Sequence, residues 1–293
     1  MTSANTLIHT DGRVLAALDV SAYSASVAHL AGWAASRLGA PLELVHAIDR
    51  QSGPKAKPDL SGNLSLGGQD DLLAELSALD ESRAKLAQES GRRMLEQAKV
   101  ITVGIYEVPT ESRLRHGELV ETLLELEPGV RLFVLGMQGE HADLAKGHIG
   151  GNLERVARAV HRPVLVASQT FSPPQRFLIA FDGSPTTRRC VEIVCASPLL
   201  KGLPCELLTV GDPARPPEGM EWAENQLANA GFKVHARVEP GQPDEVIARN
   251  VRDHAVDMVV MGAYGHSKIR QLIVGSTTTQ VLRACLVPVL LLR

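Results

Sequence analysis

The feature that most constrains this chain is that one order of segments is written twice. Arg13-Val-Leu-Ala-Ala-Leu-Asp19-Val-Ser21 returns as Arg176-Phe-Leu-Ile-Ala-Phe-Asp182-Gly-Ser184, and Pro41-Leu-Glu-Leu-Val-His-Ala47 returns as Pro204-Cys-Glu-Leu-Leu-Thr-Val210. Gly117-Glu-Leu-Val-Glu-Thr-Leu matches Gly241-Gln-Pro-Asp-Glu-Val-Ile, and Leu135-Gly-Met-Gln-Gly139 matches Met261-Gly-Ala-Tyr-Gly265. Arg162-Pro-Val-Leu-Val-Ala closes the first copy, and Val287-Pro-Val-Leu-Leu-Leu closes the second. Between the copies, Phe171-Ser-Pro-Pro-Gln175 carries two prolines that resist any continuous element. The expected domains are therefore residues 1–170 and 171–293.

Within a copy, short apolar runs alternate with segments of helical spacing. In the first copy, strands are expected at 13–19, 42–48, 101–108, 130–135 and 163–167. Helices are expected at 24–38, from Asp70 or Asp71 to Lys99, from Gly117, and near 152–161. Residues 51–69, rich in Gly, Pro, Ser and Asp, read as a long loop that the second copy lacks. Strands alternating with helices at these lengths imply a parallel sheet covered on both faces. The fold class is α/β, as two tandem doubly wound domains with five-stranded parallel sheets. Aromatic residues are only 3% of the chain, so Val, Leu, Ile and Ala must build the core.

The stretch that bears chemistry is residues 258–282. A buried-strand run ends in Gly262-Ala-Tyr-Gly265; after nine further residues Gly275-Ser276-Thr277 opens what reads as a helix. The glycines permit positive φ and close approach of a ligand to bare backbone. The helix start supplies free N–H groups, hydroxyls and the positive end of a helix dipole. Together they form an anion seat suited to phosphates; the alternative is a strand end and an ordinary surface turn.

With Asp182 after the first strand of its copy, this pattern resembles the universal stress protein family, and the resemblance extends over nearly the whole chain. It implies an adenine nucleotide alpha hydrolase-like fold that binds ATP, with or without Mg2+, where the motif is intact. Carried over by the motif, Ala180, Asp182 and Val210 would line the adenine and ribose end. Met261, Gly262 and Gly265 would follow the ribose and inner phosphates, and Gly275, Ser276 and Thr277 would hold the outer ones. In the first copy Gly150-Gly151-Asn152 comes one residue late and lacks the following hydroxyl, with Asn152 left to cap the helix. The resemblance thus implies ATP in the second domain and a degenerate first site. It also implies dimer contacts through the last strand of each copy, which a tandem chain makes internally, leaving association of two chains open.

The remaining chemistry is thin. The sequence has no P-loop, GxGxxG, GxSxG or HExxH pattern, so no catalytic residue is assigned and at most weak ATP hydrolysis is expected. His116, His141 and His148 match no metal-ligand spacing, so no metal site is assigned. Lys268 and Arg270 lie between the glycine clusters, either closing over a polyphosphate or solvated, and Tyr264 either packs on a ribose or faces water. Asp182 has a structural reading beside the nucleotide one, as the cap of its own turn. The four cysteines, with no CxxC pair, read as packed thiols in a reducing compartment. A net charge of −3 points away from nucleic acid, and no apolar run or leader pattern suggests a membrane. The expectation is a cytoplasmic, ATP-binding stress-response regulator with unidentified protein partners; the alternatives are a nucleotide-independent scaffold and a slow ATPase. The long helix after Asp71 interleaves charges with leucines, giving one packed and one wet face, or a cover for a partner or first-domain ligand.

Overall fold

The computed structural model describes residues 11–48, 66–139, 150–263 and 276–293, with 66–75, 276 and 277 described by backbone alone. The first copy folds as β1 (Arg13–Ala17), α1 (Ser24–Leu38), β2 (Leu42–Ile48), α2 (Leu66–Tyr106), β3 (Thr110–His116), α3 (Leu119–Leu126), β4 (Val130–Gly136), α4 (Gly151–Ala159) and β5 (Val164–Ala167). The second repeats it as β6 (Phe177–Ala180), α5 (Pro185–Ala196), β7 (Cys205–Val210), α6 (Met220–Asn229), β8 (Val234–Glu239), α7 (Pro243–Asp253), β9 (Met258–Gly262), α8 (Ser276–Ala284) and β10 (Val289–Leu292).

All ten strands join one sheet in the order β3-β2-β1-β4-β5-β10-β9-β6-β7-β8. Every neighbouring pair is parallel except β5 and β10, which run antiparallel with Val289 opposite Val166 and Leu291 opposite Val164. That junction is the internal pairing of last strands that the family resemblance implies. Both of its strands are wholly buried, β5 as Val-Leu-Val-Ala and β10 as Val-Leu-Leu-Leu. Continuous apolar runs suit strands covered on both faces. Alternate residues feed two cores: Leu165 and Leu290 face α1, α2, α5 and α6, while Val166 and Val289 face α3, α4, α7 and α8. The first core runs without a break from one copy into the other.

The third strand is a correction. Residues 101–106 are the last turns of α2, which spans 41 residues, and β3 begins only at Thr110. The β-branched run alternates like a strand, but tertiary packing overrides it. Met94, Leu95, Ala98 and Thr102 recur at helical spacing and are buried, while Val100 and Val103 point to solvent. Gly32 of α1 opens the space for Tyr106, since a Cβ there would lie 2.4 Å from the tyrosine ring. Glu107, at a φ of 54°, then turns the chain out of the helix.

Each copy also carries a charged triad at equivalent places. Glu43 on β2 is buried and accepts from Arg13 Nη1 at 2.8 Å. Arg113 Nε lies 3.0 Å from its other oxygen, close enough for charge but without the direction of a hydrogen bond. In the second copy, Glu206 on β7 accepts from Arg237 Nη2 at 2.5 Å and has Arg176 at 3.8 Å. Among the described residues, no helix is long and apolar enough to cross a membrane.

Candidate functional site

The second copy leaves β6 for β7 and β8, then returns to β9 and β10 on the other side of β6. The loops after β6 and β9 therefore diverge, opening a crevice at the C-terminal ends of these strands, where ligands of open α/β sheets bind. Ile179 pairs with Val260, which brings Ala180 level with Met261. Ala180 pairs with Leu208, so Val210 stands level with Asp182. Met261 is buried in the core under α7 and α8, and the half-buried Ala180 and Val210 pack against that same core. The strand ends thus gather three of the expected residues on one face, the face that α8 covers.

Asp182 is fixed from both sides. The Phe181 carbonyl before it accepts from Thr209 Oγ1 at 2.7 Å, and the Phe181 N–H donates to Leu208 O at 2.9 Å. Its own Oδ1 accepts from the Ser184 N–H at 2.9 Å and from Thr187 Oγ1 at 2.7 Å. Burial works against the charge, but the bonds from Ser184 and Thr187 outweigh it and hold the carboxyl below its ordinary pKa of 3.8. The Asp-Gly-Ser-Pro sequence accounts for this local structure. Gly183 takes a φ of 79°, Ser184 caps α5 by accepting from the Thr187 N–H, and Pro185 fills the first helical position. Arg188 ties the turn down by donating to the Gly183 and Glu218 carbonyls. The capping role of Asp182 is thus realised, while the residue still lies exposed at the crevice.

Gly262 ends β9 with no room for a side chain toward α5, because a Cβ would lie 2.8 Å from Thr186 Cγ2. Ala263 N–H then donates to Leu292 O at 2.7 Å, and the chain leaves the sheet. Gly265 and Gly275, with Tyr264, Lys268 and Arg270, lie outside the described residues. Ser276 and Thr277 open α8, so the helix start falls where the motif places it.

The first copy repeats the frame with different fillings. His46 Nδ1 donates to Leu18 O at 2.8 Å, as Thr209 does to Phe181 O. Gly136 packs on Tyr23, where Gly262 packs on Thr186, and Tyr23 is buried. A Cβ on Gly139 would lie 2.8 Å from Asp19 Oδ2. The Gly150 N–H donates to Met137 O at 3.0 Å, folding the start of α4 back onto the strand end. Gly150 is itself the N-cap, so Asn152, expected to cap the helix, sits inside its first turn. His116 lies 3.3 Å from Gln88, while His141 and His148 fall outside the described residues. Thr209, Ser184 and Thr187 were not singled out from sequence. Aligning the two copies residue by residue is the signal that would have found the Thr209 and His46 pair.

Comparison with known proteins agrees with this fold. The profile of the universal stress protein family matches residues 12–168 and again 174–293. Universal stress protein Slr1230 of Synechocystis sp. is 35% identical over 286 residues, covering 96% of this chain and 99% of its own. A crystal structure of a universal stress protein from Archaeoglobus fulgidus superposes with a TM-score of 0.67 at 19% identity, covering 96% of this chain and 98% of its own. A putative universal stress protein from Pseudomonas aeruginosa does so with a TM-score of 0.57 at 17% identity, over 98% and 95%. The chain belongs to the universal stress protein family.

Proposed function

We propose that this protein is an ATP-binding regulator of the stress response and that its second copy, residues 171–293, holds the nucleotide. The observation that carries the reading is the gathering of Ala180, Val210 and Met261 on the α8 side of the crevice, beside Asp182 and Gly262. Ala180 and Val210 offer an apolar seat to a base at the strand ends. Met261 is buried, so it would contribute backbone. An ionised Asp182 repels phosphate and accepts from hydroxyls, which suits the ribose end. Gly262 and Gly265 would pass the inner phosphates. Gly275, Ser276 and Thr277, at the start of α8, would hold the outer ones through N–H groups, hydroxyls and the helix dipole. Bound ATP would contact the segment between Gly262 and Ser276 and so change the surface offered to partners.

The first copy supports a one-site reading. Its strand-end glycine packs on Tyr23, its next glycine lies against Asp19, and the amide at its helix start is already spent on Met137. Equilibrium dialysis with ATP, with and without Mg2+, tests the assignment by comparing wild type with Gly275→Val. The reading expects binding by the wild type alone, and equal binding by both would remove the motif from the argument.

A further inference from the structure

Helix α2 has 41 residues where its counterpart α6 has 10, and the extra length projects from the sheet. From Leu76 to Ser90 none of its residues is buried; Gly91 is the first that is. The unburied stretch among the described side chains, residues 76–90, is about 22 Å long at 1.5 Å per residue. An isolated helix of about 15 residues is marginal in water. Its ion pairs, Lys85 with Glu81 at 2.7 Å and Arg83 with Asp80 at 3.9 Å, are exposed and add little. Yet Leu79 is 49% exposed and Leu86 66%, seven residues apart on one side of the helix.

That side runs on into a groove. Leu86, Arg93, Met94 and Gln97 form one wall, Val20 and the first turn of α1 the other, around a cavity of about 540 Å³. The charges along the helix then choose the occupant. Residues 66–81 carry Asp70, Asp71, Glu75, Asp80 and Glu81 with no Lys or Arg, while 82–99 carry Arg83, Lys85, Arg92, Arg93 and Lys99 against Glu89 and Glu96. Two copies laid antiparallel bring each acidic half against the other's basic half, and Leu79 of each opposite Leu86 of the other. The acidic end then also meets the N-terminus of α1, where a helix dipole favours negative charge. A parallel pair would set like charges together.

We propose that α2 is a dimerisation arm, which pairs antiparallel with α2 of a second copy of this chain and seats its acidic end in the groove beside α1. Sedimentation equilibrium of the full chain tests this, with far-UV circular dichroism as the check on folding. The wild type is expected to be dimeric at micromolar concentration. Leu79→Lys/Leu86→Lys is expected to weaken the dimer at least about tenfold, since each leucine leaves its partner's surface for water. Asp71→Lys/Glu75→Lys and Arg92→Glu/Arg93→Glu should each weaken it alone, and mixing these two variants should restore it. A wild type that stays monomeric, a dimer indifferent to the leucine pair, or charge variants that associate like wild type would each overturn the proposal.

Discussion

Replacing Gly32 by alanine sets two effects of opposite sign against each other. Gly32 lies inside α1, and a helix-interior glycine normally gains about 1 kcal/mol on becoming alanine. Here the new Cβ would lie 2.4 Å from Tyr106 Cδ2, 2.9 Å from Cγ and 3.0 Å from Cε2, so the whole ring must move. The ring is not free to do so. Its hydroxyl lies 3.2 Å from His29 Nδ1, and it packs edge-on against both His29 and Phe171, which stack with centroids 5.4 Å apart. Overpacking costs about 1–3 kcal/mol and a lost hydrogen bond about 1 kcal/mol. The sum favours a net destabilisation of about 1–3 kcal/mol, read as a fall in the urea midpoint followed by circular dichroism. In a Tyr106→Ala background the obstacle is gone, and Gly32→Ala should stabilise by about 1 kcal/mol. A stabilising effect in the wild-type background, or the same change in both, would refute the packing argument.

Burial lowers the pKa of His29 below its ordinary 6.5. The folded state therefore disfavours its protonation: the stability it contributes is full above pH 6.5 and is lost as pH falls below that value. His29→Phe, which keeps the stack on Phe171, should show a flatter stability profile over the same range in urea titrations. Glu206→Gln removes the charge shared by Arg176 and Arg237, which are 39% and 32% exposed. Water screens both, so the loss should fall below that of a fully buried pair, at about 1–3 kcal/mol by urea midpoint. Burial pushes the thiols of Cys190 and Cys285 up to about 12 and those of Cys205 and Cys195 up as well, but Cys195 alone of the four is only half-buried and reachable by a reagent. A thiol reagent at pH 8 should therefore label Cys195 in the native protein and all four cysteines once it is unfolded.

The repeat made most of the fold legible. Apolar runs mark eight of the ten described strands directly or by their echo, because buried parallel strands are unbroken stretches of Val, Leu and Ile, whereas the edge strands β3 and β8 are polar and were missed; α1 begins and ends where its spacing and Gly39 predict. Residues 101–106 misled because alternation reports only which side chains like a pleated surface. It cannot show that Gly32, seventy residues earlier in the sequence, leaves room for Tyr106 to dock as part of a helix. The arginine-flanked Glu43 and Glu206 were invisible for a related reason, since their partners come from other strands. At the candidate site, the motif singled out Asp182 and Gly262, whereas the hydrogen bonds of Thr209 and Thr187 that fix Asp182 depend on the fold.

Whether the second copy alone grips ATP is read by calorimetric titration of the full chain. A single equivalent of ATP is expected to bind, abolished by Gly275→Val and untouched by Gly151→Val, whose side chain would enter open space at the start of α4. Two equivalents, or binding that survives Gly275→Val, would contradict it.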